Sequence, residues 1–404
     1  MNIGMLLNAP YPPDIRVSKE VQALLGAGHQ VYLLCLRRKG EPYTEELNGL
    51  NITRLDGGRQ NTALALWDAV ISSTFVHPLF YFKLLRWVKK HGIEALHVHD
   101  LPLTGTALAI KKNYGIPVIA DFHENYPDAL QVWFQWKKNP LARLKNKLFM
   151  QPEHWRKLEK KAVLQADRVI AVVEEMRQRL IDTHGAEKNK IVVVTNTESR
   201  SFTRQPLHPD IYAACGNRFI LAYAGHIGPS RGIDTALRGL AILKGKPIAL
   251  AITGAGSADV MQKLKNLVSE LSITDQVYFM GYQPFSRFYS LMHFADVNII
   301  PLKLTVQTDN SAPNKLFQAM MAGKPVLVSS CTSLRRMMES TGAGLVFRHD
   351  SPEDFAEKVM ELYGNKDLCR TLGANGLKAT LGGTLNWEYT SKYLVDIYRS
   401  LSAS

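Results

Sequence analysis

Short apolar runs and helically spaced segments take turns along this chain. Continuous apolar stretches stand at 2–7 (NIGMLL), 30–36 (QVYLLCL), 94–98 (EALHV), 117–121 (PVIAD), 168–172 (RVIAV) and 190–194 (KIVVV). Between them lie amphipathic segments such as 16–27 (RVSKEVQALLGA) and 104–113 (TGTALAIKKN). Strands that are apolar without alternation belong to a parallel sheet covered on both faces by helices. The rhythm starts again at 218–224, 248–253, 276–280, 296–300, 325–329 and 343–347, with helical segments at 257–271 and 352–363. Residues 197–217 interrupt it; they are polar, carry two prolines and show no period, as in a linker between domains. The pattern predicts an α/β protein of two doubly wound domains joined near residue 200.

Length supports that division, because 404 residues exceed one ordinary core. In open α/β sheets ligands bind beyond the carboxyl ends of the strands, and a cleft between two such domains is the default site. Hydrophobic residues make up 46% of the chain and charged residues 21%, as in globular proteins. Cys35, Cys215, Cys331 and Cys369 are scattered and form no CxxC pair, which fits a reducing, cytoplasmic setting and argues against a structural zinc or disulfide framework. MNIGMLLNAPYPP reads as a first strand and its loop rather than a signal peptide. No apolar run reaches the length of about 18 residues needed to span a bilayer. The net charge of +13 points to an anionic partner, whether nucleotide phosphates, a membrane surface or nucleic acid. No RNA- or DNA-binding module is recognisable, so nucleic acid is not expected.

Three segments of the second half carry candidate chemistry. In AYAGHIGPSRGID (222–234) a strand ends at Gly225 and a helix begins near Ile233. Glycines there let the backbone approach a phosphate, the helix start supplies N–H groups, and Arg231 adds a fork suited to phosphate oxygens. The same letters also describe an ordinary strand-to-helix turn with an exposed arginine. ITGAGSAD (252–259) places Gly254 after a strand, but it lacks the third glycine and the acidic residue of a dinucleotide fingerprint. DNSAPNKLFQAMMAGKPVLVSS (309–330) predicts a helix from about Pro313, capped by Asn310 or Ser311, with Leu316, Phe317, Met320 and Met321 facing the core. Helix-start amides beside Lys315 would make an anion site; a capped core helix with a surface lysine is the plainer alternative.

In the first half, IADFHENYP (119–127) puts His123, Glu124 and Asn125 at the end of a strand, where a histidine can donate to a sugar hydroxyl or act as acid or base. LHVHDLP offers His97, His99 and Asp100, yet no further ligand set at metal spacing accompanies them, and no metal is expected. Residues 75–90 and 131–149 interleave aromatic and basic side chains without acids, which suits an anionic membrane surface and equally two helices packed on a sheet with solvated lysines.

Taken in order and spacing, PYPPDIRVSKEVQALLGAGHQV, HVHDLPL, DFHENYPD, ADRVIAVVEEMRQRL, AGHIGPSRGID, TGAGSAD, QVYFMGYQP, ADVNIIPLK and APNKLFQAMMAGKPVLVS resemble the group 1 family of retaining GT-B glycosyltransferases over essentially the whole chain. The resemblance implies two Rossmann-like domains facing across a cleft. Residues 1–197 would bind the acceptor, with a C-terminal helix over about 385–404 packing back onto them, and 198–384 would bind the donor. It implies a UDP- or GDP-linked sugar as co-substrate and no metal or other cofactor; the basic aromatic segments at 75–90 and 131–149 add the expectation of a glycan or lipid-linked acceptor of polysaccharide biosynthesis at the inner face of the cell membrane. Arg231 stands where the family holds the donor pyrophosphate, with His226 at the other basic position. Gly225, Gly254, Ser311, Pro313, Asn314, Lys315 and Leu316 fall in the donor loops, and Tyr282 falls where the base is touched. His123 matches a histidine near the donor sugar; Asp14, Arg16, His99 and Glu124 fall on the acceptor side. The family's two glutamates spaced E-x7-E are here Asn310, near the sugar, and Gln318, at the ribose. That departure keeps in play a catalytically silent nucleotide-sugar-binding subunit; a nucleotide-sugar epimerase on a similar two-domain scaffold is a further alternative, but these positions lack the carboxylates its proton chemistry needs.

Overall fold

The computed structural model describes residues 1–57, 70–135 and 151–402. It divides into two compact units, one of residues 1–195 with 391–404 and the other of residues 196–390. The boundary thus falls at Thr195/Asn196, and the C-terminal portion assigned to the first unit begins at Ser391.

The first unit is built on an eight-stranded sheet of β1 (Asn2–Pro10), β2 (Gln30–Leu36), β3 (Thr44–Leu47), β4 (Leu50–Leu55), β5 (Ala95–His99), β6 (Val118–Phe122), β7 (Arg168–Ala171) and β8 (Ile191–Val193). Their spatial order is β3-β4-β2-β1-β5-β6-β7-β8. Every neighbouring pair is parallel except β3 with β4. That edge hairpin is absent from the periodicity reading. Its signal was a two-residue Asn48-Gly49 turn, where both φ angles are positive, at 51° and 82°. Helices α1 (Ile15–Gly26), α2 (Pro78–His91), α3 (Thr104–Tyr114), α4 (Tyr126–Gln135), α5 (Pro152–Gln165) and α6 (Glu174–His184) accompany the sheet. β5 and β6 are buried along their full length, and their carboxyl ends carry the first unit's chemistry.

The second unit has β9 (Phe219–Ala224), β10 (Ile248–Thr253), β11 (Val277–Gly281), β12 (Val297–Ile300), β13 (Val326–Ser329) and β14 (Gly344–Phe347), all parallel, in the order β11-β10-β9-β12-β13-β14. Its helices are α7 (Ile233–Ile242), α8 (Ala258–Glu270), α9 (Phe288–His293), α10 (Val306–Asp309), α11 (Asn314–Met321), α12 (Thr332–Thr341), α13 (Pro352–Gly364) and α14 (Lys366–Thr380). Residues of α15 (Trp387–Ser402) fall in both units. Alternate residues of β9 and β10 serve different faces. Leu221, Tyr223, Leu250 and Ile252 pack with α7, α8 and α13, while Ile220, Ala222, Ala249 and Ala251 pack with Tyr212, Cys215 and Leu291. Both faces are covered, which is why these strands read as unbroken apolar runs.

The stretch 197–217 is not a free linker. It belongs to the second unit, forms 3-10 turns at Arg200–Arg204 and Pro209–Cys215, and buries Phe202, Tyr212 and Cys215. Three widely spaced apolar anchors among polar residues make no period, yet they are enough to pin the segment to the sheet.

Phe355 of α13 is fully buried, sits edge-on to Phe347 at 5.2 Å, and lies so close to α7 that a Cβ on Gly239 would be 2.5 Å from its ring. Phe355→Ala should cost the second unit about 3–5 kcal/mol, read as a shift of that unit's transition in urea denaturation.

Candidate functional site

Two groups of side chains stand out, one at the carboxyl end of each sheet. In the second unit, β9 runs into Gly225, whose φ of 136° belongs to glycine. A Cβ on Gly254 would lie 1.8 Å from the Gly225 carbonyl oxygen, so the loops after β9 and β10 touch backbone to backbone. Gly225 N–H donates to Thr253, Ile227 N–H to Ala255, and Gly254 N–H to Gly281, which ties three strand ends together. Gly232 begins α7 with a φ of 64°, and a Cβ there would meet the Pro301 carbonyl at 1.6 Å. No side chain caps α7.

Lys315 of α11 reaches back to this loop, its Nζ lying 3.8 Å from the centre of the Tyr223 ring and its side chain against Gly225. Burial, and then repulsion from Arg231, push the Lys315 ammonium well below the ordinary lysine range. Burial and the same two cations also lower His226, which keeps that ring neutral. The nearby Lys303 is paired with Asp234 at 2.6 Å, but among the described residues neither Arg231 nor Lys315 has a carboxylate partner. Arg231 and Lys315 thus stand beside glycine backbone and the starts of two helices, an arrangement suited to hold an anion.

The opening of α11 differs from expectation. The helix starts at Asn314 with Pro313 as its N-cap, and no side chain caps it. Asn310 instead turns its amide to Val306 O at 2.9 Å, and Ser311 turns its hydroxyl toward Thr308 O at 3.3 Å. Both close the short α10, whose last turn competes for them. Leu316, Phe317, Met320 and Met321 are buried. Gln318 is also buried, and its amide donates to Glu198 at 2.7 Å; Asn314 donates to the same oxygen at 2.8 Å. One carboxylate thus stands beside the two amides, supplied by the segment read as a linker. A lone glutamate in a polar run carried no signal of this. Tyr282 follows β11 with its side chain 78% exposed.

In the first unit, α1, β5 and β6 gather a buried ionic group. Asp14 is spent as the N-cap of α1, accepting from Val17 N–H at 3.0 Å. Arg16 lies in the interior, two-pronged on Asp121 at 2.7 and 3.2 Å and 2.9 Å from Glu20. His97 donates to or accepts from the Tyr398 hydroxyl at 2.7 Å, and His99 faces His123 at 3.3 Å. His123 sits 2.7 Å from Asp121 and 3.4 Å from Asp100. Asp100 holds φ 61° and ψ 170°, a region that only glycine enters cheaply. That strained backbone lets its carboxylate accept the His123 N–H at 3.1 Å. Glu124 is half-buried in the bend that follows.

Glu20, His97, His99 and Asp121 offer ligand atoms within 4.8 Å of one another. Arg16 already supplies the cation that these carboxylates face. Burial opposes charge on His123, but Asp100 and Asp121 outweigh it and push the imidazolium up to about 9. Burial likewise opposes ionisation of Asp121, yet Arg16 and His123 hold it well below the usual carboxylate range. His123 is therefore a cationic hydrogen-bond donor rather than a free base. Residues 75–90 run into α2, which buries Phe80, Leu84, Trp87 and Val88 and exposes Phe82, Lys83, Arg86, Lys89 and Lys90. Most of 131–149 lies outside the described residues. Among the described residues no helix is long and apolar enough to cross a membrane.

Two doubly wound α/β units, with glycine-rich strand-to-helix junctions at the carboxyl edge of the second sheet, define the class of fold. The Glycosyltransferase Family 4 model matches residues 16–197, and the Glycosyl transferases group 1 model matches residues 205–379. The chain belongs to the group 1 glycosyltransferases of the GT-B fold and is a sugar-transferring enzyme. It is 27% identical over 251 residues to a D-inositol 3-phosphate glycosyltransferase of Nocardia farcinica, a match spanning 59% of this chain and 54% of that one, about half of the relative's length. The fold is similar to that of a sucrose-phosphate synthase from Thermosynechococcus elongatus, with a TM-score of 0.80 at 17% identity over 100% of this chain and 99% of the other. It is also similar to Anabaena HepE in complex with UDP-glucose, with a TM-score of 0.72 at 14% identity and 100% of both chains covered.

His123 carries a pH signature. Its imidazolium lies near 9 when folded against an ordinary value of 6.5, so its stabilisation is complete below pH 6.5 and is lost as pH rises through 9. The melting temperature of the wild type should fall across that window, and His123→Gln should flatten the fall; parallel curves for the two proteins would rule out the cationic assignment.

Proposed function

We propose that this glycosyltransferase moves a hexosyl group from a UDP- or GDP-linked sugar to an acceptor hydroxyl, with retention of configuration and without a metal ion. The observation that carries the reading is the unneutralised pair Arg231 and Lys315 beside Gly225 and the uncapped starts of α7 and α11. A diphosphate placed there would accept hydrogen bonds from peptide N–H groups and a guanidinium, and its charge would oppose the burial that disfavours the Lys315 ammonium. Charge grows on that diphosphate as the bond to the sugar breaks, so donors fixed in advance act on the transition state more than on the ground state. HepE, described in complex with UDP-glucose, shares the fold, which favours a nucleotide-sugar donor.

His123 enters the reaction as a hydrogen-bond donor to the sugar, because Asp100 and Asp121 keep it protonated. Among the described residues no side chain of the donor edge is suited to be a nucleophile, which fits same-face attack in which the leaving phosphate takes the acceptor proton. Glu198, held by Asn314 and Gln318, supplies an acid that the E-x7-E positions lack. Asn310 and Gln318 themselves act as neutral hydrogen-bonding groups.

The acceptor is a lipid-linked or cell-surface glycan precursor, and the first unit meets an anionic cytoplasmic leaflet. The exposed face of α2 favours this, with Phe82 68% exposed among Lys83, Arg86, Lys89 and Lys90. Basic residues in the last turn of α2 also complement its dipole, so their presence has a purely helical cause as well.

Arg231→Ala should lower kcat about 100-fold at saturating donor; an unchanged kcat removes Arg231 from the chemistry. For the membrane, the protein should sediment with vesicles rich in anionic lipid at low salt, and Phe82→Ser with Lys83→Glu and Lys90→Glu should release it. No binding by the wild type sinks the docking assignment.

A further inference from the structure

A basic cavity lies within the second unit, at the opposite edge of its sheet from Arg231 and Lys315. It holds about 650 Å³ and opens where strands begin rather than where they end. Arg218 directly precedes β9, Asp296 precedes β12, and Lys324 stands two residues before β13. The carboxyl-edge rule for ligands of α/β sheets gives no reason for a site here.

Four cations border the cavity: Arg218, Lys324, Lys366 and Arg370. One acid, Asp296, stands among the lining residues, and its Oδ2 accepts the Ile220 N–H at 2.7 Å. Arg370 is paired with Asp367 at 3.0 Å in an exposed contact. Among the described residues Lys324 and Lys366 have no carboxylate partner. Arg218 is held in place, donating to Cys215 O at 3.1 Å and to the Tyr278 hydroxyl at 2.9 Å. Tyr363 lines the apolar wall, perpendicular to Phe219 at 5.4 Å.

Helix physics makes these cations costly. Lys366 is the first residue of α14 and Arg370 lies one turn on, both at the positive end of the helix dipole. Solvation and salt would make scattered surface lysines tolerable, but these converge on one concavity with an aromatic wall. Its volume lies within the usual range of small-molecule pockets.

We propose that this cavity binds a small phosphorylated organic anion, with its phosphate among Lys324, Lys366, Arg218 and Arg370 and its ring against Tyr363. The proposal stands apart from the donor reading, since no residue is shared between the two edges.

Phenyl phosphate, which combines one phosphate with one ring, is the probe. Calorimetry is run in the Arg231→Ala, Lys315→Ala background so that the other anion site is silenced. One equivalent should bind, more weakly as salt rises, and Lys324→Ala with Lys366→Ala should weaken it at least about tenfold, the loss of one good charge-assisted contact. Tyr363→Ala should weaken it as well while leaving the salt dependence unchanged. Removing Lys366 relieves a helix-end repulsion, so the lysine variants should melt no lower than their parent, which separates lost binding from lost folding. Unchanged affinity in the double lysine variant, or no binding by its parent, overturns the proposal.

Discussion

Arg231 and Lys315 repel one another at the carboxyl end of β9, and no described acid of the second unit offsets them. Glycine backbone and two helix starts surround that charge. Gly232 and Gly254 are there because backbone passes within contact distance of backbone and leaves no room for a Cβ, and Gly225 because its φ of 136° belongs to glycine. The uncapped starts of α7 and α11 leave peptide dipoles available in the same place. A protein selected for stability alone would have put a carboxylate beside Lys315.

The first unit solves the opposite problem. Arg16 is buried, but Asp121 and Glu20 neutralise it. Removing one partner from such a group leaves an unpaired buried charge, so the cluster is rigid in composition as well as in geometry. Asp121 is the hub, shared by Arg16, His97, His99 and His123. The strained Asp100 adds a second carboxylate to His123 and makes its proton state a product of the fold.

Glu198 stands close to the amides that replace the E-x7-E glutamates. Amides at 310 and 318 remove two charges from the positions where the family resemblance places acids. In the folded second unit Gln318 is not idle, because it and Asn314 present Glu198. Asn310 is occupied by its own helix. The substitution of acid by amide is therefore partly a relocation of charge, from the helix to the segment that precedes β9.

Local periodicity by itself determined the class of fold. Strands buried on both faces must be continuously apolar, and helices lying on them must be amphipathic, so both leave marks within a few residues of each other. The glycine-rich turns and the Pro313–Lys315 corner were legible for the same reason: backbone conformation is a property of neighbours in the chain. Contacts between distant positions left no such marks. Gln318 meets Glu198 across 120 residues and His97 meets Tyr398 across 301. The polar run at 197–217 hid three core anchors, and only packing against β9 and α9 decided that it belongs to a sheet. Proton states followed the same rule, since the charge on His123 or Lys315 depends on how much water and which partners the fold leaves around it, and no spacing of letters encodes that.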